Sequence, residues 1–314
     1  MLETETRAVH KPVLREEVLR ELVLPGTSVL ADCTVGDGGH AEAMLEALGA
    51  GGFLIGLDRD PKAVQRAGER LKRHAGRFFL VHENFNRLDR VLDDKGFSGV
   101  DGILMDLGIS SVQLDDPVRG FSFQKDGPLD MRMDQGRGLT ASELVNTLPE
   151  RDLLKILFQY GEERWSRRIV RAILRVRQQQ PIRTTLELAR IIREAVPPAY
   201  RHRRIHPATK TFQALRVAVN QELDGLEDAL VSAAGALNPG GRLGVIAFHS
   251  LEDRIVKQTF RRLAPRKDGS YTRVTKKPII PVEDEMKDNP RSRSAKFRVL
   301  QRGLEKSPAG GAGP

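Results

Sequence analysis

The sequence predicts an α/β protein with a Rossmann-like, doubly wound sheet interrupted by an all-α insertion. Three observations predict it. Short apolar runs at 29–31, 53–57, 78–81 and 102–106 alternate with helical patterns, which is the spacing of parallel strands joined by crossover helices. From Gln113 to about Pro207 no strand pattern occurs, and helical periodicities follow one another. The alternation then resumes with a helix over 209–229 and an apolar strand over 242–248. A chain of 314 residues can bury two cores. The expected division is 1–114 with 208–303 for the sheet domain, 115–207 for the inserted helical domain, and a disordered Gly/Pro/Ala-rich tail over 304–314.

Each element has a local reason. Residues 9–24 read as an extended lead-in and then a helix, with Val18 and Leu22 on one face and Pro25-Gly26 ending it. The run 29–31 breaks at Gly36-Asp-Gly38-Gly39-His40 into the helical pattern 41–48. Asp60-Pro61 caps a helix from 62 to about 74, with Pro at its first position. A helix near 88–92 leads to the fourth strand. In the insertion, helical patterns cover 141–160, 163–179 and 185–195. In the second, Trp165, Ile169, Ala172, Ile173 and Val176 take one side, and Arg164, Arg168, Arg171 and Arg175 take another. The end of 291–301 reads as a final strand.

Strand, glycine turn, helix and second strand ending in Asp58 describe a nucleoside-cofactor pocket. The glycines let the backbone approach a ligand, and Asp58, 20 residues after Gly38, sits where a carboxylate accepts from ribose hydroxyls. In open sheets ligands bind beyond the carboxyl ends of the strands, where Asp32, Asp58, Asn84-Phe85 and Asp106 all fall. Two cofactors suit the pocket. A dinucleotide prefers GxGxxG, whereas this loop carries Asp37, which would repel a pyrophosphate. S-adenosylmethionine has no phosphate, and its ammonium and sulfonium favour an acid there. The residues thus place the methyl donor ahead of NAD, with an NAD-dependent oxidoreductase as the alternative. No Gly-Lys-Ser/Thr follows the glycines, which disfavours a nucleoside triphosphate.

The net charge of +9 is regional. Between Arg164 and Arg216 stand fourteen Lys or Arg against two Glu, so the rest of the chain is slightly acidic. That placement points to a polyanion-binding face, against the plainer reading of a solvated helix surface. The single Cys33 excludes an intrachain disulfide and any CxxC zinc or redox site. No apolar run approaches the ~20 residues of a membrane span, and the N-terminus lacks a signal-peptide core, so a soluble cytoplasmic protein without membrane partners is expected.

The fourth strand and its sequel carry longer motifs: Asp101-Gly-Ile-Leu-Met-Asp106-Leu-Gly-Ile-Ser110-Ser111-Val-Gln113, Arg119-Gly-Phe-Ser-Phe, and 126–134. With Tyr160-Gly-Glu-Glu-Arg164, His206-Pro-Ala-Thr-Lys-Thr-Phe-Gln213, Phe248-His249-Ser-Leu-Glu-Asp-Arg254 and Asn289-Pro-Arg-Ser-Arg293, the chain closely resembles the RsmH (MraW) family from His10 to about Gln301. The resemblance implies a class I S-adenosylmethionine-dependent methyltransferase sheet. It also implies N4-methylation of a cytidine in the decoding region of 16S rRNA within the small ribosomal subunit, during subunit maturation. Cofactor contacts carried over by the motifs are Gly38, Gly39, His40, Asp58, Phe85, Asp106 and Gln113. Asp106, Ser110 and Ser111 are the expected acceptor set for the amino group, with His249 beside them, and the loop after Asp106 departs from the Pro-Pro-aromatic motif of many amino-group methyltransferases. The expected RNA contacts are Arg164, Arg168, Arg171, Arg175, Arg203 and Arg204. No metal is expected, no obligate protein partner, and a monomer or weak homodimer. A non-catalytic assembly factor keeping a relic pocket is a third reading, disfavoured by the intact acids.

Other residues have competing readings. Phe121 and Phe123 either anchor a polar loop, the favoured reading, or stack on an extruded base. Asp126, Asp130 and Asp134 would share a face if helical, but do not match a calcium loop. His202 and His206 are spaced i, i+4 without a third ligand. His249-Ser250 with Glu252 and Asp253 lacks the GxSxG elbow of a hydrolase.

Overall fold

The computed structural model describes residues 11–201, 205–265 and 269–304. In chain order the elements are α1 (Arg15–Leu22), β1 (Val29–Asp32), α2 (Gly39–Ala47), β2 (Phe53–Asp58), α3 (Pro61–Leu71), β3 (Phe78–His82), α4 (Leu88–Asp94) and β4 (Val100–Asp106). Then come α5 (Ser111–Asp115), α6 (Ala141–Thr147), α7 (Glu150–Gln159), α8 (Ser166–Arg177), α9 (Thr185–Ala195), α10 (Pro198–Arg201) and α11 (Thr209–Asn220). The last are α12 (Leu226–Gly235), β5 (Leu237–Ala247), α13 (Ser250–Leu263), β6 (Tyr271–Arg273), α14 (Glu283–Asp288) and β7 (Lys296–Arg302). The chain forms two compact units, one of residues 1–108 with 225–314 and one of 109–224.

The first unit holds a seven-stranded sheet in the order β3-β2-β1-β4-β5-β7-β6. β1 to β5 are parallel, with Leu30 beside Leu54 on one side and Gly102 on the other. The order reverses at β1, so its carboxyl end and that of β4 open the crevice in which such sheets bind ligands. Leu30, Leu54, Leu104, Ile246 and Phe297 pack with Leu14, Val18 and Leu22 of the α1 segment and Met44 and Leu45 of α2 in one buried cluster. Each such side chain contributes roughly 1.5–3 kcal/mol by leaving water.

The parallel pairing expected from the strand spacing runs as far as β5. β7 runs antiparallel to it, Lys296 beside Ala247 and Gln301 beside Arg242, and β6 pairs antiparallel with β7. The reason lies in the return path. β6 starts at the amino end of the sheet, and residues 274–295 cross to the carboxyl end, so β7 can only run back down. Two long helical patterns are also divided. The pattern 141–160 breaks at Leu148-Pro149, because Pro149 has no N–H for a continuing helix. The pattern 209–229 breaks where Gln221 and Gly225 take left-handed conformations.

The second unit packs α6 to α11 around Leu153, Leu157, Ile169, Ile173, Leu188, Ile192, Phe212 and Leu215. Residues 120–139 form no helix, so Asp126, Asp130 and Asp134 share no helical face; each folds onto its own surroundings. Asp126 accepts from the Leu186 N–H at 3.1 Å, Asp130 holds the Arg132 guanidinium at 2.8 Å, and Asp134 accepts from Gly136 N–H at 2.9 Å. Gly120 is needed at φ +71°, where a Cβ would lie 2.2 Å from the Pro128 carbonyl oxygen. Phe121 is buried, and Phe123 packs against His206 and edge-on against Phe212, each at 4.7 Å, so both anchor the loop.

Asn220 ties this loop to the helices. Its side-chain carbonyl accepts from Met133 N–H at 2.7 Å, and its amide donates to the carbonyls of Met131 at 2.7 Å and Arg216 at 2.9 Å. Asn220→Ala strands buried backbone groups and is expected to cost about 3 kcal/mol. A urea midpoint within error of the parent's would show that the loop does not depend on this residue.

Candidate active site

The site of the first unit is built at the carboxyl ends of β1, β2 and β4. After Asp32 the chain turns through Gly36, at φ +53°, and Gly38, at φ +79°, which caps α2 in a left-handed conformation. Asp58 clamps this loop. One carboxylate oxygen accepts from Gly36 N–H at 2.8 Å, and the other accepts from Asp60 N–H at 2.8 Å. Gly39 leaves no room for a side chain, since a Cβ there would lie 2.9 Å from Pro12 Cγ. Glu83 N–H donates to the Asp58 carbonyl at 3.0 Å, which places half-buried Phe85 just beyond β3.

Three acids and one imidazole converge here. Asp106 N–H donates to Thr34 Oγ1 at 2.6 Å, and Asp32 accepts from Thr34 N–H at 3.1 Å, so Thr34 bridges the ends of β1 and β4. His40 Nε2 lies 3.5 Å from an Asp106 carboxylate oxygen. Burial pushes Asp32 up to about 7, partly offset by His40 and the Thr34 N–H, with Asp106 and Asp58 adding to the rise. Burial likewise pushes Asp58 up to about 6, against the lowering pull of its two backbone hydrogen bonds. Among the described residues, Asp32 Oδ2, Asp106 Oδ1 and both ring nitrogens of His40 are buried without a hydrogen-bond partner. Buried polar atoms left open at a crevice await a ligand. Carboxylates among them suit a cation, so this set fits a donor carrying an ammonium and a sulfonium.

Asp37 plays a different part from the one its place in the loop suggested. It pairs with Arg66 of α3 at 2.6 Å, so its charge is already matched within the protein. Among the described residues of this site, the acids with a buried carboxylate oxygen left without a hydrogen-bond partner are Asp32 and Asp106. Cys33 is fully buried, and burial drives its thiol far above the ordinary range, so it is inert.

His249 caps α13. Its Nδ1 accepts from Glu252 N–H at 3.4 Å, its Nε2 lies 3.1 Å from the Glu252 carboxylate, and that carboxylate accepts from Phe248 N–H at 2.8 Å. Asp253 is taken by Lys296 and Arg298. These bonds fix the turn after β5 at the sheet end that also carries Asp106.

In the second unit, Ser110 and Gln113 form a capping box on α5: Ser110 Oγ accepts from Gln113 N–H at 3.2 Å, and Gln113 Oε1 accepts from Ser110 N–H at 3.0 Å. Ser111 is the first residue of α5. On α8 and the two residues before it, Ile169, Val170 and Ile173 are buried while Arg164, Arg168, Arg171 and Arg175 are exposed. Arg164 donates to the Tyr200 hydroxyl at 2.9 Å and lies over the rings of Trp165 and Tyr200 at 5.0 and 5.2 Å. Arg203, Arg204 and His202 lie outside the described residues, as does the tail from 305. Among the described residues no group of three or more His, Cys, Asp or Glu could hold a metal, and no helix is long and apolar enough to cross a membrane.

Residues 7–303 match the model of the MraW methylase family. The chain belongs to the MraW methylase family. Relatives named ribosomal RNA small subunit methyltransferase H include one from Pelobacter propionicus, 50% identical over 93% of this chain and 98% of the relative. Another, from Syntrophobacter fumaroxidans, is 48% identical over 93% and 96%, and one from Halothermothrix orenii is 45% identical over 94% and 99%. As a MraW methylase the protein is a class I methyltransferase, and S-adenosylmethionine is its methyl donor.

Proposed function

We propose that this MraW methylase acts on small-subunit ribosomal RNA and methylates N4 of a cytidine in the decoding region of 16S rRNA. The observation that carries the reading is the match to the family along nearly the whole chain, by relatives named for the small-subunit RNA. In cells, 16S rRNA from a strain lacking this protein should contain the cytidine without its N4-methyl group, and restoring the gene should return the mass of one methyl. An unchanged nucleoside profile would refute the assignment.

The bound donor supplies an electrophilic methyl group on a sulfonium. Gly38, Gly39 and His40 would line its amino-acid end, Asp58 would accept from its ribose hydroxyls, Phe85 would flank its adenine, Asp32 would pair with its ammonium, and Asp106 would face its sulfonium, the charge that S-adenosylhomocysteine lacks. Gln113 is a further contact proposed from the family motif. A cytosine amino group is a weak nucleophile because its lone pair is shared with the ring. The protein must therefore place N4 in line with the methyl and accept its N–H hydrogens as positive charge develops. Asp106, with an open Oδ1, is the acceptor at the strand tip, and Ser110 and Ser111 are the hydroxyls proposed to complete the set. As the N–C bond forms and the C–S bond breaks, the departing amino proton passes to a carboxylate or to water. His249 is proposed to shape the base pocket.

Residues 115–207 are proposed as the RNA-recognition domain, with the exposed arginines of α8 and its lead-in on phosphates, joined by Arg203 and Arg204. The four arginines of α8 and its lead-in alone, neutralising four phosphates of single-stranded RNA, give a salt slope of about −3, so kcat/KM should fall at least roughly 50-fold between about 50 and 200 mM salt. Arg171→Ala should flatten that slope by about 0.7. A salt-insensitive rate at subsaturating RNA would contradict a phosphate-binding role.

A further inference from the structure

A cavity of about 280 Å³ lies in the first unit beyond the ends of β5 and β7. Its apolar side includes Phe248, Ile280 and Met286, and its polar side includes Arg293, Ser294 and Lys296. Three features mark it as more than a packing gap. Ile280 is 61% exposed, an apolar surface left in water where the segment 274–295 crosses the sheet end. Arg293 is exposed and forms no hydrogen bond or ion pair among the described residues. Lys296 is anchored to Asp253 at 3.2 Å yet keeps 42% of its side chain exposed.

An apolar floor beside a free guanidinium, an ammonium and a hydroxyl is the chemistry of a nucleotide, with a base on the floor and a phosphate on the cations. The volume sits at the small end of ligand pockets, enough for one such unit. The register places it relative to the acceptor site. Asp106 pairs with Ile246, and Ala247 pairs with Lys296, so the cavity is one to two strand spacings, about 5–10 Å, from Asp106 across the sheet end. Phe248 borders that path, since a Cβ on Gly108 would lie 3.7 Å from its ring. The cavity lies to one side of the strand tip that carries Asp106, which leaves the place at Asp106 for the methylated base and puts a base seated here beside it, as a neighbour in the strand.

We infer that the cavity beyond β5 and β7 seats a nucleotide adjacent to the methylated one, with its base against Phe248, Ile280 and Met286 and its phosphate on Arg293 and Lys296. The inference rests on the RNA-methyltransferase reading and adds a second point that fixes the register of the strand. The test uses the full-length protein and undermethylated small subunits. Arg293→Ala should raise KM for subunits about tenfold, as expected for loss of a charged phosphate contact, with kcat and S-adenosylhomocysteine affinity unchanged, and Arg293→Lys should recover part of the loss. 4-Thiouridine placed on either side of the target should cross-link within 280–296. A KM within twofold of the parent's together with no cross-link in 280–296 would overturn the inference while leaving the methyltransferase assignment intact. If the parent enzyme transfers no methyl group to RNA, the assignment itself fails and the inference with it.

Discussion

Replacing Asp32 by Asn is expected to make the protein more stable at pH 8 while weakening donor binding. Asp32 is buried at the tip of β1, and its carboxyl is pushed up to about 7 from the model-peptide 3.8. Its folded pKa exceeds its unfolded one, so between those values the native state holds more protons than the unfolded chain, and stability falls as pH rises through that window. The rise of about three units corresponds to about 4 kcal/mol lost by pH 8. Asn carries no charge, and its carbonyl oxygen can still accept from Thr34 N–H. The variant should therefore match the parent near pH 4 and exceed it increasingly toward pH 8, as thermal unfolding at a series of pH values would show. Asp58, raised to about 6, adds a slope of the same sign to both proteins. The price is function: without the carboxylate opposite a cationic donor, affinity for S-adenosylmethionine should fall about tenfold or more in calorimetry. Parallel pH profiles for the two proteins would mean that Asp32 is not held against its charge.

Asp106→Asn should separate binding from turnover. The substitution keeps the side-chain shape and an acceptor oxygen, and the backbone N–H bond to Thr34 is unaffected. What it removes is the negative charge that would face a developing cationic amine. A loss of about 10²–10³ in kcat is expected, with S-adenosylhomocysteine affinity within about threefold of the parent's. Equal losses in binding and turnover would make Asp106 a cofactor-holding residue alone.

How far these features could be read in advance depended on how local their causes are. β1, β2 and β4 are apolar runs closing on an acid, and both the run and the acid are visible in sequence. The two faces of α8 follow from a 3.6-residue period, and the structure buries Ile169 and Ile173 and exposes Arg168 and Arg171 as that period requires. β6, by contrast, is Tyr-Thr-Arg, three residues whose strand state depends on β7 alongside it. Asp37 reads as a free anion until α3 brings Arg66 to it from 29 residues away. Asp32 reads as one more acid at a strand end, and only the packing around it makes it a strained, proton-holding group. Ser110-x-x-Gln113 is a capping-box spelling, so part of what the motif encodes is the start of α5, alongside any role in chemistry. His249 is a less usual N-cap, and its capping of α13 through Glu252 had no comparable sequence signal.

Methyl transfer from S-adenosylmethionine to N4 of a 16S rRNA cytidine is the reaction proposed for this protein. Its most direct test is to incubate the purified protein with tritiated donor and small subunits from a strain lacking the modification, digest the RNA and identify the labelled nucleoside. Label is expected in N4-methylcytidine, within one decoding-region fragment. Label in any other nucleoside, or none from a protein shown to bind the donor, would contradict it.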